Sequence, residues 1–197
     1  MSKIGILGGT FDPPHLAHIE IAQAARAQLE LDEVILVPAG RNPFKHAENM
    51  SLAKHRLKMT ELAIEDQDGL SVSDIEITRA GPSFTVDTLV ELHMAQPAEY
   101  WLILGSDQLK AFVEWKAPHR ILQMARLAAV VRPPDTREKL EVLLADWMSP
   151  KVDFVELAPS PISSTQVRSM IKHGERIDKF VKPSVRAYID HEKLYKG

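Results

Sequence analysis

"GGTFDPPHLAH", residues 8–18, joins a short apolar segment to a segment with helical periodicity. Gly8 and Gly9 carry no Cβ, so a ligand can approach the backbone closely there. The following helix presents free N–H groups and the positive end of its dipole, and both attract phosphate. His15 and His18 are three residues apart, so on a first helical turn they share a face and can donate to phosphate oxygens. Protonation near neutral pH would add positive charge. The stretch predicts an anion site.

The same residues permit other interpretations. The stretch is neither a G-x-G-x-x-G dinucleotide fingerprint nor a P-loop, since no G-K-[ST] follows. His15 and His18 could form half of a zinc site, with Asp12 as the only other ligand type nearby, or they could be structural histidines beside a tight turn. Pro13 and Pro14 fix φ just ahead of the helix and suit any of these roles.

Short apolar runs alternate with amphipathic segments along the whole chain. This alternation predicts βαβ units and therefore an α/β fold, doubly wound, with a mostly parallel sheet. The predicted strands are Lys3–Leu7, Glu33–Pro38, Leu70–Ile77, Tyr100–Leu104, Leu127–Val131 and Val152–Leu157. The predicted helices are Leu16–Glu30, Ser51–Asp66, Thr85–Met94, Ala117–Ala125, Thr136–Trp147, Ser164–His173 and Pro183–Leu194. At 197 residues the chain is expected to form a single domain, residues 1–197.

Ligands of such sheets bind beyond the carboxyl ends of the strands. The segments that follow the predicted strands are GGTFDPPH, PAGRNPFK, TRAGPSFT, GSDQ, RPPD and PSPISSTQVR. These segments hold most of the glycines, prolines and small hydroxyl residues of the chain. We therefore expect the functional site at this edge of the sheet.

Composition excludes several classes of function. The net charge of −3 provides no basic face for duplex nucleic acid. The absence of cysteine excludes disulfides, thiolate zinc sites and a cysteine nucleophile. No stretch approaches the ~18 apolar residues of a membrane span. We expect a cytoplasmic protein with no nucleic-acid or membrane partner, as a monomer or a small homo-oligomer.

A second motif lies near the end of the chain, SPISSTQVR at residues 160–168. Ser163 suits a helix N-cap, and Gln166 three residues later completes a capping box. Arg168 is a cation early in a helix, where the dipole disfavours positive charge. Its position suggests that an anion is held there.

Both motifs resemble those of one superfamily. GGTFDPPHLAH resembles the G-[GT]-F-D-P-x-H-x-G-H signature of the nucleotidyltransferases, with Ala17 where glycine is usual. SPISSTQVR resembles the I-S-S-T-x-[IV]-R motif that closes over ATP phosphates. GPSFTVDTL (81–89) and LGSDQLKAFVEW (104–115) are similar to segments of bacterial nicotinate-nucleotide adenylyltransferases, and PAGRNPFK (38–45) matches less well, with Phe44 where histidine is frequent.

The resemblance covers nearly the whole chain and implies a Rossmann-like nucleotidyltransferase domain. Its C-terminal helical part, about 160–197, would close over the nucleotide site. Catalytic roles fall to His15, His18, Lys45 and Arg168, and the nicotinate mononucleotide pocket to Thr85, Phe112 and Trp115. ATP would contact Gly8, Gly9, Thr10, Phe11, Gly105, Asp107, Arg132, Ser163, Ser164 and Thr165. No resident metal is implied, and Mg²⁺ would arrive on the ATP phosphates.

The implied reaction joins ATP and nicotinate mononucleotide into nicotinic acid adenine dinucleotide and pyrophosphate. The attacking phosphate oxygen is already ionised, so no general base is required, and catalysis rests on positioning and charge stabilisation. Main-chain N–H groups near Thr85 and Phe112 would recognise the carboxylate.

Two alternatives remain. A phosphopantetheine adenylyltransferase or a cytidylyltransferase shares the first motif, although the GPSFT and EW segments argue against both. A nucleotide-binding sensor without catalysis is the other alternative, and the intact His15, His18 and Arg168 argue against it.

Overall fold

A six-stranded parallel sheet forms the centre of the computed structural model, which describes residues 1–40, 50–158 and 162–196. The strands are β1 (Lys3–Gly9), β2 (Glu33–Pro38), β3 (Leu70–Val72), β4 (Glu99–Gly105), β5 (Ala125–Val131) and β6 (Val152–Glu156). Their order is β3-β2-β1-β4-β5-β6, and every adjacent pair is parallel. The order reverses between β1 and β4, which is where a doubly wound sheet opens a crevice. The predicted fold class is confirmed.

Nine α-helices connect and flank these strands in the described ranges. They are α1 (Leu16–Gln28), α2 (Ala53–Ile64), α3 (Ile75–Thr78), α4 (Thr85–Ala95), α5 (Ser106–Lys110), α6 (Pro118–Met124), α7 (Arg137–Leu143), α8 (Ser164–Lys172) and α9 (Pro183–His191). Short 3₁₀ helices cover Phe112–Glu114 and Ser149–Lys151. Among the described residues, no helix is both long enough and apolar enough to cross a membrane.

The sheet is buried on both faces, as its apolar strands require. Leu102 and Leu104 of β4 pack with α4, α6 and α7 on one face. Trp101 and Ile103 of the same strand pack with α1, α2, α8 and α9 on the other. This alternation with a period of two residues places every second side chain in each core. The single-domain fold therefore has two apolar layers.

The structure corrects some predicted elements. The strand predicted over Leu70–Ile77 ends at Val72, and α3 begins at Ile75. The sequence LSVSDIEI alternates as a strand would, but β3 is an edge strand with one neighbour, and the chain turns at Ser73 and Asp74, residues that favour turns. The five-residue α5 directly after β4 was not predicted, and the helix expected over Thr136–Trp147 ends at Leu143.

The C-terminal helices pack beside the turn that follows β1. Ser163 caps α8 as predicted, because its Oγ accepts the Gln166 N–H at 3.2 Å. α9 packs on α2, where Ser184 Oγ donates to the carbonyl oxygen of Leu62 at 2.9 Å. Helices α8 and α9 both lie on the face of the sheet that also carries α1.

Candidate active site

A cavity of about 390 Å³ opens at the carboxyl ends of β1 and β4, where the strand order reverses. One end is formed by the turn that contains Gly8, Gly9 and Thr10. The other end is formed by the start of α4 and by Trp115. Asp107 and other residues of α5 line the wall between the two ends. The cavity therefore has a polar end at the glycine turn and an aromatic end at Trp115.

The two glycines of the turn serve different purposes. Gly8 is exposed, and no atom lies within 4 Å of the place where a Cβ would stand, so its backbone is open to a ligand. A Cβ on Gly9 would lie 2.8 Å from Cζ of Phe11, so this glycine makes room for the Phe11 ring. Phe11 itself is buried and has a φ of +50°. Gly9 therefore also serves internal packing, in addition to lining the cavity with Gly8.

His15 and His18 lie against each other at the start of α1. His15 is the N-cap residue, and the two ring centroids are 3.8 Å apart. The His15 N–H donates to Nδ1 of His18 at 3.1 Å, which leaves the His18 proton on Nε2. Nδ1 of His15 is buried and has no hydrogen-bond partner in residues 1–40, 50–158 and 162–196. The pair thus leaves one buried ring nitrogen of His15 without a hydrogen-bond partner among the described residues.

Both histidines are neutral in the free protein. Burial, followed by the nearby charge of Arg132, lowers the pKa of His15 from 6.5 to about 4. Burial, then His15, then Arg132 lower the pKa of His18 well below 6.5. The expectation that protonation near neutral pH adds charge is therefore wrong for this state, because desolvation disfavours the charged imidazole. Arg132 supplies positive charge close to both histidines.

Helix α8 is fastened to the turn by two of the residues predicted to hold phosphate. Ser164 Oγ donates to the Pro13 carbonyl oxygen at 2.9 Å. Arg168 Nη1 donates to the Asp12 carbonyl oxygen at 2.7 Å, and its Nη2 donates to Oγ1 of Thr165 at 3.3 Å. A main-chain carbonyl therefore engages the guanidinium in this state. The cation early in the helix thus has structural partners within the chain, and the anion predicted for it stays a prediction.

Two of the three predicted acceptor-pocket residues line the aromatic end. Thr85 begins α4, and Thr85 and Trp115 both line the cavity. Phe112 is fully buried (0% exposed) and lies behind Trp115, with the ring centroids 5.5 Å apart. Phe112 therefore supports Trp115 from the core and does not line the cavity.

Sequence reasoning assigned no role to three residues of this end, and it set Lys116 aside as marginal to the GPSFT and AFVEW segments. Lys116 Nζ lies 4.2 Å from the centroid of the Phe84 ring and 3.0 Å from Oδ2 of Asp87. Glu76 of α3 also lines the cavity, and its Oε1 accepts from Thr88 Oγ1 at 2.8 Å. Phe84 lies within the GPSFT segment and could have been found there. Glu76 was hidden by the wrong prediction of a strand over Leu70–Ile77.

The remaining predicted residues are distributed around the cavity. Gly105 precedes α5 and its N–H donates to Oε1 of Gln108 at 3.1 Å. A Cβ on Gly105 would lie 3.4 Å from Nη2 of Arg132, so these two residues are neighbours. Asp107 lines the cavity wall, whereas Lys45 lies outside the described residues. In the part of the chain that the structure describes, no three His, Cys, Asp or Glu side chains form a metal-binding group.

Known proteins are similar to this chain in sequence and in fold. Residues 6–170 match the family model described as cytidylyltransferase-like. A probable nicotinate-nucleotide adenylyltransferase from Herpetosiphon aurantiacus is 40% identical, over 99% of this chain and 99% of that protein. One from Bordetella avium is 38% identical, over 100% of this chain and 99% of that protein. The structure of Plasmodium falciparum nicotinic acid mononucleotide adenylyltransferase complexed with NaAD superposes with a TM-score of 0.81 at 20% identity, covering 99% of this chain and 98% of that one, which shows a shared fold.

Proposed function

Since the chain belongs to the nicotinate-nucleotide adenylyltransferase family, we propose that it transfers the adenylyl group of ATP to nicotinate mononucleotide. The products are nicotinic acid adenine dinucleotide and pyrophosphate. The observation that carries the proposal is a single cavity that connects a glycine turn beside two histidines to the face of Trp115. In this proposal the triphosphate lies at the glycine turn and the aromatic mononucleotide at Trp115. The P. falciparum protein, which has the same fold, was solved with NaAD.

Groups suited to phosphoryl transfer lie beside the glycine turn that forms the polar end of the cavity. A phosphate oxygen of the acceptor attacks the α-phosphorus of ATP in line, and pyrophosphate leaves on the opposite side. The attacking oxygen is already ionised, so the neutral histidines are not needed as bases. We assign Nε2–H of His18 and the guanidinium of Arg132 to stabilise charge on the transferring phosphoryl group. Arg168 stands at the start of α8, on the side of the turn where the leaving phosphates would lie.

Mg²⁺ enters this proposal as part of the substrate. The carboxylate of Asp12 already accepts hydrogen bonds from Tyr195 and Ser51, which fits a site without a carboxylate cage. Mg²⁺ retains water and phosphate oxygens readily and needs few protein ligands. It neutralises the phosphates that the chain's own residues position.

The aromatic end is suited to a pyridine ring. Trp115 offers a ring face, held in place by Phe112 behind it. Lys116 places positive charge at the same wall, which favours a nicotinate carboxylate over a nicotinamide amide. Main-chain N–H groups near Thr85 complete the recognition. They can donate hydrogen bonds to a carboxylate, whereas an amide NH₂ is itself a donor and would leave them without an acceptor.

Pyrophosphate release from MgATP with a panel of acceptors tests the proposal. We expect turnover with nicotinate mononucleotide, at least 10-fold slower turnover with the nicotinamide form, and none with phosphopantetheine. CTP in place of ATP tests the cytidylyltransferase alternative. Binding of ATP without turnover on any acceptor would instead support a nucleotide sensor.

Other parts of the interpretation stay predictions. These are the cytoplasmic location, the absence of nucleic-acid and membrane partners, the monomer or small homo-oligomer, and the closing of residues 160–197 over the nucleotide.

A further inference from the structure

A buried polar cluster, which we call the Asp12 cluster, consists of Asp12, Ser51, Arg56 and Tyr195. Asp12 is 3% exposed and Arg56 is 1% exposed. A buried charge is costly unless it is paired and hydrogen-bonded, so both groups need partners. Arg56 Nε donates to the Ser51 carbonyl oxygen at 3.2 Å, and the Ser51 N–H donates to Oδ2 of Asp12 at 3.2 Å. One residue of the chain therefore bridges the two opposite charges.

Tyr195 satisfies the other oxygen of the Asp12 carboxylate. Its hydroxyl donates to Oδ1 of Asp12 at 2.6 Å, a distance typical of a hydrogen bond to an ionised acceptor. Burial, followed by the charge of Asp12, raises the pKa of Tyr195, so the hydroxyl keeps its proton and remains a donor. The contact joins residues 183 positions apart in sequence, from the segment after α9 to the turn after β1.

Asp12 stands in the middle of the turn that leads to the histidines. The carbonyl oxygens of Thr10, Asp12 and Pro13 accept hydrogen bonds from Arg56 (2.9 Å), Arg168 (2.7 Å) and Ser164 (2.9 Å) respectively. These bonds hold the main chain of the turn. Across the described residues, the Asp12 side chain itself is held by two hydrogen bonds, from Ser51 and from Tyr195. The Tyr195 bond is the shorter and the one that a side-chain substitution can remove.

We propose that Tyr195 is a positioning residue, which fixes the Asp12 carboxylate and thereby holds residues 10–15 in the geometry that receives the ATP phosphates. The proposal rests on the proposed function for what the turn binds. Tyr195 does not line the cavity between the glycine turn and Trp115, so it acts through Asp12. A displaced transition-state donor lowers kcat more than it lowers ground-state binding, so the loss should appear in kcat.

Tyr188 provides a matched control. It lies on α9, and its hydroxyl forms a hydrogen bond with Nδ1 of His55 at 2.9 Å. This bond ties the same C-terminal segment to α2 without touching the turn. If Tyr195 merely anchored that segment, the loss of either hydroxyl would have a similar effect.

The test compares Tyr195→Phe with Tyr188→Phe in the full chain, by steady-state kinetics with MgATP and nicotinate mononucleotide. We expect Tyr195→Phe to lower kcat about 10-fold with KM changed less than about 2-fold, and Tyr188→Phe to retain wild-type kcat. NMR spectra of the imidazole groups provide a second readout that needs no turnover. We expect the resonances of His15 and His18 to move in Tyr195→Phe and to stay in place in Tyr188→Phe.

Wild-type kcat in folded Tyr195→Phe, or equal losses in the two variants, would overturn the proposal. If Tyr195→Phe does not fold, Asp12→Asn takes its place and must show the same kcat loss and the same histidine shifts. If the wild-type chain makes no dinucleotide from these substrates, the proposed function fails on its own. The histidine resonances then decide the positioning role, and unchanged resonances in Tyr195→Phe would reject it.

Discussion

The two ends of the cavity are built in different ways. At the polar end, the turn after β1 is held by hydrogen bonds from α2, from α8 and from the segment after α9. At the aromatic end, Phe84, Trp115 and Lys116 come from two short segments and rest on one another and on Phe112. The polar end depends on distant parts of the chain, whereas the aromatic end is mostly local.

This difference matches the role that each end has in the proposed reaction. Stabilising developing charge requires donors at fixed positions, because electrostatic catalysis depends on preorganisation. Holding a pyridine ring requires contact area, which tolerates small shifts. Substitutions at the polar end should therefore cost more than substitutions at the aromatic end. Four predictions test this comparison, from the largest expected effect to the smallest.

The first prediction concerns His15 and the pH dependence of stability. Between pH 6.5 and about 4 the unfolded chain binds a proton that folded His15 does not, so the free energy of unfolding falls as the pH is lowered. The lowered pKa corresponds to about 3 kcal/mol over this range. Urea unfolding at pH 7 and pH 4 should show a loss in wild type to which His18 also contributes, and a loss smaller by about 3 kcal/mol in His15→Gln. His191→Gln, at an exposed histidine, should behave as wild type, and an unchanged pH dependence in His15→Gln would contradict the assignment.

The second prediction concerns His18. We expect His18→Ala to fold normally and to lose about 100-fold in kcat, the scale of a lost charge-stabilising donor. Pyrophosphate release measures kcat, and circular dichroism checks the fold. His191→Ala is the control, since His191 is exposed and its side chain contacts Glu192 far from the cavity. Unchanged turnover in folded His18→Ala would remove the basis for treating the polar end as catalytic.

The third prediction concerns Trp115. We expect Trp115→Ala to lower kcat/KM about 10-fold for the acid and for the amide mononucleotide alike, since a lost stacking face costs about 1–3 kcal/mol. Thr85→Ala should keep most of the preference for the acid, because main-chain N–H groups, and not the Thr85 side chain, bind the carboxylate. Trp147→Phe is an aromatic control, since Trp147 contacts Phe112 and His119 but does not line the cavity. A loss in Trp115→Ala as large as that in His18→Ala would break the contrast between the two ends.

The fourth prediction concerns Lys116 and Asp87. Lys116 is partly exposed, so we expect Lys116→Met to lower the acid-over-amide ratio of kcat/KM by only about 3-fold. Asp87→Asn removes the carboxylate that lies 3.0 Å from the Lys116 ammonium, so it should shift the ratio in the opposite direction. Shifts of the same sign in both variants would show that the Lys116 charge does not contribute to selectivity.

The sequence predicted most of the strands because the hydrophobic pattern and the turn residues agreed. β2 has the predicted bounds, Glu33–Pro38, since its apolar run is covered by helices on both faces. The prediction was wrong where pattern and environment disagreed, at Leu70–Ile77, because an edge strand is short and the alternation continues into α3. The capping of α8 by Ser163 was predictable, since a cap depends on residues within one turn.

The sequence by itself determined the βαβ order, the edge of the sheet that carries the candidate site and the composition of the two motifs. Each of these depends on near neighbours in the chain. The tertiary structure alone decided that His15 and His18 are neutral, that Phe112 supports Trp115 from the core, and that Arg56 and Tyr195 hold the turn. Burial and hydrogen bonding between residues as far apart as Asp12 and Tyr195 cause these features, and no local pattern records which distant groups the fold will bring together.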